Sequence, residues 1–332
     1  MRITYFFRKP TPSFFSIEQL FENIIASSKI AVPKLVYLPV KEANVKGLLQ
    51  NSLYARSNQG EVNHITGEVY YIALALNGKR TILTIHDLES LYSTNKLKNF
   101  LLQLFWLKLP VNKAKYITVI SEHSKQKLLS LTNVAADKVI VIPNCVSLSE
   151  TEYHPKLNID KTEPILLQVG TKPNKNTERL VKAIKGLSCK LIILGKLSEM
   201  QLELLEEQSI KFENYVQLPY EEVKELYYKS DIVTFVSTFE GFGLPILEAN
   251  ALGRPVITSN VTAMPEVAGD SALLVDPFNP VAIRQAIEKL IADDVFRNNL
   301  VKAGYRNVQR FKPEKIAAQY EAVYRKVLEE AT

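Results

Sequence analysis

The chain has 332 residues, of which 46% are hydrophobic and 23% are charged, and these values exclude an intrinsically disordered protein. The formal net charge of +6 is unevenly distributed: residues 1–150 hold 18 basic and 10 acidic side chains, and the remainder holds 23 and 25. A basic first half indicates an anionic partner, such as a phosphorylated substrate, an acidic membrane or nucleic acid, or simply a solvated basic surface.

The first half predicts a parallel α/β domain, because apolar runs alternate with helical patterns. Strands are predicted at 3–7, 35–39, 81–85, 116–120 and 139–142, and helices at 16–28, 96–109 and 122–131. The helix at 96–109 is very apolar and is predicted to end at Pro110. It is either buried in this domain or lies on a membrane surface.

The polar stretch 146–163 contains Pro155, is followed directly by Pro164, and is predicted to link two domains. A second alternating block follows. Its strands are predicted at 165–169, 190–194, 216–218, 232–236, 255–259 and 272–275, and its helices at 176–184, 199–208, 221–230, 245–252, 280–292 and 313–330. We place an amino-terminal domain at 1–150, a carboxy-terminal domain at 151–312 and a last helix at 313–332, whose return to the first domain is left open.

This pattern predicts two doubly wound, Rossmann-like sheets facing a central cleft, with ligands bound at the carboxyl ends of the strands. Cys145 and Cys189 lie far apart and outside any Cys/His cluster, so we expect no disulfide, no metal site and a cytoplasmic location. The first residues lack the apolar core of a signal peptide, and no segment has the length of a transmembrane helix.

The strongest chemical pattern is the segment STFEGFGLPILE at 237–248, which follows an apolar strand and opens a helix. Gly241 and Gly243 let the backbone approach a ligand closely, and the free N–H groups of a helix amino terminus bind anions. Glu240 and Glu248 flank this turn, and carboxylates accept paired hydrogen bonds from sugar hydroxyls. A turn that merely packs a helix on a sheet would not need two flanking carboxylates.

This segment resembles the EX7E motif of the retaining glycosyltransferases of the GT-B fold, especially family 4, and mannosyltransferase-like members in particular. The resemblance covers about residues 80–330. It implies that Glu248 binds the nucleotide ribose and that Glu240 binds the sugar hydroxyls. The donor would also contact the backbone around Phe242, Gly243 and Leu244, next to Gly241.

Other segments resemble the same family. The loop VGTKPNKN at 169–176 implies that Gly170, Thr171 and Lys175 contact the donor diphosphate, although Asn174 stands where the family often has an arginine. A lysine beside a leaving diphosphate stabilises the developing negative charge, and Arg254 is a further candidate for this contact. The segment TIHDL at 84–88 implies that His86 faces the donor sugar.

Candidates on the acceptor side come from the first half. The family usually carries a Gly-Gly loop after its first strand, whereas this chain reads FFRKPTP at 6–12. We expect Arg8 and Lys9 either to replace a phosphate contact or to bind an anionic acceptor. The remaining acceptor-side candidates are His64, Asp87 and Glu122.

The resemblance therefore implies a metal-independent, retaining hexosyltransferase without a cofactor. Its substrates would be a nucleoside-diphosphate sugar, with GDP-mannose favoured, and a glycan or lipid-linked acceptor of surface polysaccharide synthesis. Peripheral membrane contact through the basic domain is expected, and nucleic-acid binding is not, since no recognisable binding module is present. The alternatives are a sugar-nucleotide-binding scaffold without catalysis and a soluble disaccharide synthase. A nicotinamide-dependent oxidoreductase is disfavoured, because no GxGxxG turn follows the first strand.

Overall fold

The computed structural model describes residues 1–10, 16–30, 32–42, 44–86, 88, 96–146 and 152–331, without the side chains of residues 16 and 96–98. The chain divides into two compact units, residues 1–145 with 311–332, and residues 146–310. The sequence predicts a boundary after residue 150 and a last helix of undecided place. In the structure the boundary follows residue 145, and the last helix packs within the first unit.

In the described part of the first unit, the strands are β1 (Arg2–Phe7), β2 (Val32–Tyr37), β3 (Val62–Ile65), β4 (Thr81–Ile85), β5 (Tyr116–Val119) and β6 (Val139–Val141). The helices are α1 (Ser16–Ala26), α2 (Val45–Ser57), α3 (Lys96–Leu102), α4 (Leu109–Lys113) and α5 (Glu122–Leu131). A short 3-10 helix spans Tyr70–Ala75, and a π-helical segment, Gln103–Lys108, joins α3 to α4.

In the second unit, the strands are β7 (Ile165–Val169), β8 (Lys190–Leu194), β9 (Lys211–Tyr215), β10 (Ile232–Phe235), β11 (Val256–Ser259) and β12 (Ala272–Val275). The helices are α6 (Thr177–Ile184), α7 (Glu199–Glu207), α8 (Tyr220–Lys229), α9 (Leu244–Ala251), α10 (Met264–Ala268), α11 (Pro280–Ala292) and α12 (Asp294–Val308). The last helix of the chain, α13 (Pro313–Glu329), belongs to the first unit.

Both sheets are parallel, but their strand orders differ. The first runs β2-β1-β3-β4-β5-β6 and the second runs β12-β11-β10-β7-β8-β9. The second is the order of a dinucleotide-binding fold and the first is that of flavodoxin-like folds with one added strand. The two predicted doubly wound sheets are therefore confirmed.

The core of the first unit lies on both faces of its sheet, because successive side chains of a strand point to opposite faces. Along β1, Tyr5 and Phe7 join the cluster that includes α1 and α13, while Phe6 joins the cluster on the other face. In the second unit, α6 and α11 bury Leu180 and Ile287 against the sheet. Among the described residues, no helix combines the length and apolarity needed to cross a bilayer.

Some elements differ from the sequence prediction for physical reasons. A strand was predicted at 216–218, but β9 ends at Tyr215. As an edge strand, β9 is only partly buried and lacks a strong apolar pattern. Helix α2 was not predicted, because its buried residues are Gly47, Asn51 and Ala55, so its hydrophobic residues do not mark the buried face. The helix from Lys96 continues past Pro110, which directly follows the π-helical segment Gln103–Lys108. There Leu109 N–H donates to Leu104 O, so the regular α-helical bonding that a proline interrupts is already absent.

Candidate active site

The second sheet has a topological switch point between β7 and β10. The chain moves outward from β7 to β8 and β9, and then returns to place β10 on the other side of β7. The loops that follow β7 and β10 therefore diverge, and this is where doubly wound sheets bind ligands. These two loops, 170–176 and 236–243, contain most of the predicted donor-site residues.

Lys175 and Glu240 meet at this switch point. Lys175 Nζ lies 2.6 Å from Glu240 Oε1, and the two side chains are only 18% and 15% exposed. The ammonium also lies 4.6 Å from the centre of the Phe235 ring, in a cation–π contact. The structure thus brings together the two residues that the family resemblance assigned to the diphosphate and to the sugar.

Gly170 is required for this arrangement. Its φ of +90° lies in the region that favours glycine, and the Lys175 side chain crosses directly over it. A Cβ atom at this position would lie 3.0 Å from Lys175 Cε and 3.0 Å from its Cγ. A larger residue would push the lysine away from Glu240.

Glu248 lies on α9, and its carboxylate accepts a 2.6 Å hydrogen bond from the Tyr227 hydroxyl. Burial raises the pKa of Glu248, while the Tyr227 hydrogen bond and the Lys175 charge act in the opposite direction. The carboxyl group is therefore held in one orientation before any ligand binds. Tyr227 was not predicted as a site residue, because it falls in an ordinary helical pattern on α8.

The Gly-rich turn leads directly into α9. Gly243 has a φ of +116° and forms the amino-terminal cap, and Leu244 begins the helix. The side chain of Phe242 is buried, whereas Gly241 and Leu244 are partly accessible. The amino terminus of α9, which carries the positive end of the helix dipole, suits a negatively charged ligand.

Two asparagines hold the loops of the switch point together. Asn174 Nδ2 donates to Phe239 O at 2.9 Å and to Glu240 Oε1 at 3.2 Å. Asn176 Nδ2 donates to Val236 O at 2.9 Å. Asn174, which in the sequence is only a departure from a family arginine, therefore positions Glu240. No local sequence pattern could predict this contact, because Asn174 and Glu240 are 66 positions apart.

Arg254 requires a correction. It is buried, and its guanidinium donates hydrogen bonds to five backbone carbonyls, including Tyr227 O at 2.7 Å and Tyr228 O at 2.9 Å. An arginine committed in this way does not serve as a diphosphate ligand. Instead it caps the carboxyl end of α8 and so supports Tyr227, the partner of Glu248. Thr171 is also engaged, since its hydroxyl donates to Lys196 O at 2.6 Å.

His64, predicted on the acceptor side, also requires a correction. It lies on β3 with no exposed surface, and its ring nitrogens are 2.8 Å from the Tyr324 hydroxyl and 2.6 Å from the Thr84 hydroxyl. Burial lowers its pKa to about 3. His64 is therefore a neutral core residue that joins the sheet to α13, and it does not face an acceptor.

His86 follows β4 and is partly buried, and its Nε2 lies 3.1 Å from Thr66 O. Because a carbonyl oxygen can only accept, Nε2 carries the proton and Nδ1 is left as an acceptor. Burial lowers the pKa of His86 to about 4, with a smaller contribution from the positive charge of Arg8. The neighbouring candidate Asp87 lies outside the described residues.

The other acceptor-side candidates differ in how strongly they are engaged. Arg8 forms a two-point ion pair with Glu18, at 2.9 and 3.3 Å, and its Nη1 lies 3.5 Å from Glu68. An anion would have to displace a carboxylate to bind it. Lys9 is exposed, and Glu122 is exposed at the start of α5, where it accepts from Gln126. Their assignment to an acceptor stays a prediction.

Two family models match adjacent parts of the chain. Residues 149–307 match glycosyl transferases group 1, and residues 47–150 match Glycosyltransferase Family 4. The O-antigen chain mannosyltransferase B of Escherichia coli is 31% identical over 234 residues, which are 63% of this chain and 60% of that protein. The O-antigen chain mannosyltransferase RfbU of Salmonella typhimurium is 28% identical over 235 residues, 67% of this chain and 65% of RfbU. The chain thus matches less than two thirds of the length of these relatives.

Solved structures share the fold. Sucrose-phosphate synthase from Thermosynechococcus elongatus has a TM-score of 0.77 at 20% identity, covering 99% of both chains. HepE from Anabaena in complex with UDP and glucose has a TM-score of 0.76 at 15% identity, covering 98% of this chain and 100% of HepE. Together with the two adjacent family matches, these likenesses confirm the GT-B fold. The models of glycosyl transferases group 1 and Glycosyltransferase Family 4 together cover residues 47–307, in agreement with the family resemblance of the EX7E segment.

Proposed function

We propose that this protein is a retaining glycosyltransferase of surface polysaccharide synthesis. It would transfer a sugar from a nucleoside-diphosphate sugar to a hydroxyl group of a glycan or lipid-linked acceptor. One observation carries the proposal: the contact of Lys175 with Glu240 at the switch point, beside the preoriented carboxyl of Glu248. A purely structural turn would not require a lysine and two carboxylates, all partly buried, around one set of loops.

The roles of these residues follow from their chemistry. When the bond from the sugar to the diphosphate breaks, negative charge develops on the leaving oxygen, and the Lys175 ammonium would stabilise it. Since that ammonium contacts Glu240 in the absence of a donor, binding of the diphosphate would redirect it and release Glu240 for the sugar hydroxyls. Glu248 would accept hydrogen bonds from the ribose. The assignment of His86 to the donor sugar stays a prediction from the family resemblance.

GDP-mannose is the proposed donor. The names of the two relatives, both O-antigen mannosyltransferases, support mannose as the sugar, and the GDP carrier follows from the family resemblance. We would test it with thermal shifts of the protein against GDP, UDP, ADP, dTDP and NAD. At a hundredfold excess over the dissociation constant, a ligand stabilises the folded state by about 2–3 kcal/mol. GDP is expected to give the largest shift.

The same screen with Glu248→Gln separates this proposal from its alternatives. The shift should disappear in this variant and persist in Glu207→Gln, an exposed control on α7. A thermal shift with UDP alone that Glu248→Gln abolishes would support the same donor site, but with uracil instead of guanine as the nucleotide base. If none of the diphosphates shifts the protein, the donor site is refuted, and a shift with NAD alone would refute the reaction class.

Retention and metal independence are further parts of the proposal. Product NMR should show the anomeric configuration of the donor, and an inverted linkage would refute retention. Transfer should continue in excess chelator, and a loss of activity that a divalent ion restores would refute metal independence. In the described residues, no group of three or more His, Cys, Asp or Glu side chains is placed to hold a metal ion.

A further inference from the structure

The first unit carries an apolar groove of about 890 Å³. Its walls are α2, the 3-10 helix Tyr70–Ala75, and the run from α3 into the π-helical segment. Leu48 and Leu49 line one wall, and Leu101, Phe105 and Trp106 line another. We call this groove and its rim the α2 face.

The rim of the α2 face exposes large hydrophobic side chains. On α2, Val45, Leu49 and Leu53 lie four residues apart and share one side of the helix, and Val45 is 84% and Leu49 61% exposed. The opposite side of α2, with Gly47, Asn51 and Ala55, is the buried one. Helix α2 therefore exposes its apolar side, whereas an ordinary surface helix buries it.

Across the groove, Phe100, Leu101 and Phe105 are also exposed. Single exposed hydrophobic residues are normal on a protein surface, but a continuous apolar patch around a groove marks an interaction site. The α2 face combines both features, which indicates that another molecule covers it.

The charge of the α2 face indicates what that molecule is. The segments 45–57, 70–75 and 96–113 contain no aspartate or glutamate. Their charged residues are Lys46, Arg56, Lys96, Lys98, Lys108 and Lys113. Apolar side chains that insert at the acyl boundary, flanked by cations that meet acidic headgroups, are the two elements of binding to an anionic bilayer.

A second copy of this chain fits less well. A symmetric dimer pairs the same patch on both subunits, so the lysines of one copy would face the lysines of the other. An anionic surface removes this repulsion and adds attraction.

We propose that the α2 face binds the surface of an anionic phospholipid bilayer, with Leu49 and Phe105 inserted among the acyl chains and part of a lipid chain in the groove. The proposal is independent of the sugar-transfer reaction, because none of its residues belongs to the donor site of the second unit. It assigns the membrane contact to this face, whereas the sequence indicated only a basic half and an apolar helix.

Trp106 provides a local probe, because it is the only tryptophan of the chain and it lines the groove. The full-length protein would be mixed with vesicles of phosphatidylcholine containing about one third phosphatidylglycerol, made with or without bromine-labelled acyl chains. Bromine quenches tryptophan only at close range. We expect co-sedimentation with these vesicles and quenching of Trp106 by the labelled chains, with little of either for pure phosphatidylcholine.

Matched variants test whether the α2 face is the part of the protein that contacts the membrane. Leu49→Glu combined with Phe105→Glu should weaken vesicle binding at least tenfold. The control pairs Val281→Glu with Val295→Glu, which replaces two exposed apolar residues of the second unit and should change nothing. Lys46→Glu should weaken binding about fivefold or more, since each basic residue near the surface contributes about 1 kcal/mol. Circular dichroism would establish that each variant is folded.

Three results would overturn the proposal. The first is an absence of binding to anionic vesicles. The second is binding without quenching of Trp106, or binding that the control pair weakens as much as the groove pair does, since either would place the contact elsewhere. The third is a lipid-free dimer that the groove pair dissociates, which would assign the α2 face to self-association.

Discussion

The two units have the same architecture but use the ends of their strands differently. In the second unit, the loops after β7 and β10 leave Lys175, Glu240 and Glu248 around a turn that opens a helix, where a ligand can reach them. In the first unit, polar side chains that the sequence suggested as site residues instead form pairs within the unit. Arg8 pairs with Glu18, and His64 joins β3 to α13.

This difference shows what a short motif encodes. In the second unit the two carboxylates and the glycines between them lie within the one segment 240–248, so a local pattern indicates the site, although Lys175 joins it from 65 positions away. In the first unit the role of a polar residue depends on partners that are far away in the sequence. His64 and Tyr324 are 260 positions apart, and that separation makes a core histidine indistinguishable from an active-site histidine.

The largest expected effect concerns Lys175. Lys175→Met keeps the length of the side chain but removes the charge that would stabilise the leaving diphosphate. We expect kcat/KM for sugar transfer to fall by roughly 100- to 1000-fold, the usual cost of losing one preorganised stabilising group. Steady-state kinetics would measure it, with Lys182→Met, an exposed position on α6, as the control. If this variant keeps nearly full activity, Lys175 does not stabilise the leaving diphosphate.

Arg254 should affect stability rather than chemistry. Arg254→Met leaves several buried carbonyls without a donor, and we expect a loss of about 3 kcal/mol or more in the free energy of unfolding. Urea denaturation would measure it. At a temperature where the variant is still folded, its affinity for the nucleoside diphosphate should fall far less than that of Lys175→Met. Normal stability with abolished nucleotide binding would instead return Arg254 to the donor site.

The two units are also expected to respond differently to pH. Burial lowers the pKa of His64 to about 3 and that of His86 to about 4, so the unfolded chain binds protons below pH 6.5 that the folded first unit does not bind. The stability that the neutral histidines provide is complete above pH 6.5 and is lost as the pH falls toward 4. Glu248 has the opposite sign, because its raised pKa makes the folded second unit lose stability as the pH rises through that pKa.

We therefore expect the first unit to lose about 1 kcal/mol per pH unit for each of these histidines between pH 6 and pH 4. The fluorescence of Trp106 reports on this unit alone, so urea titrations at several pH values would measure the slope. His64→Gln should reduce it, and His154→Gln, an exposed position in the second unit, should not. A slope that is the same in all three proteins would contradict the buried, neutral state of His64.

More of the second unit than of the first could be predicted from the sequence. Buried strands such as β7 and β8 have continuous apolar runs with clear ends, and both were predicted with the observed limits. Helix α2 was missed because its apolar residues face outward, and β3 was missed because it is short and carries Asn63 and His64 in its buried interior. In the candidate site, the motifs indicated Lys175, Glu240 and Glu248, whereas Tyr227 and Asn174 act through distant partners that no local pattern reveals.

Amide hydrogen exchange of the two units, with and without saturating GDP, would show where the donor binds. We expect slower exchange in residues 170–176 and 236–248, and a loss of this protection in Lys175→Met. Protection confined to the first unit, around residues 6–10 and 64–69, would contradict the assignment, since the nucleotide would then bind where the polar side chains already pair with each other.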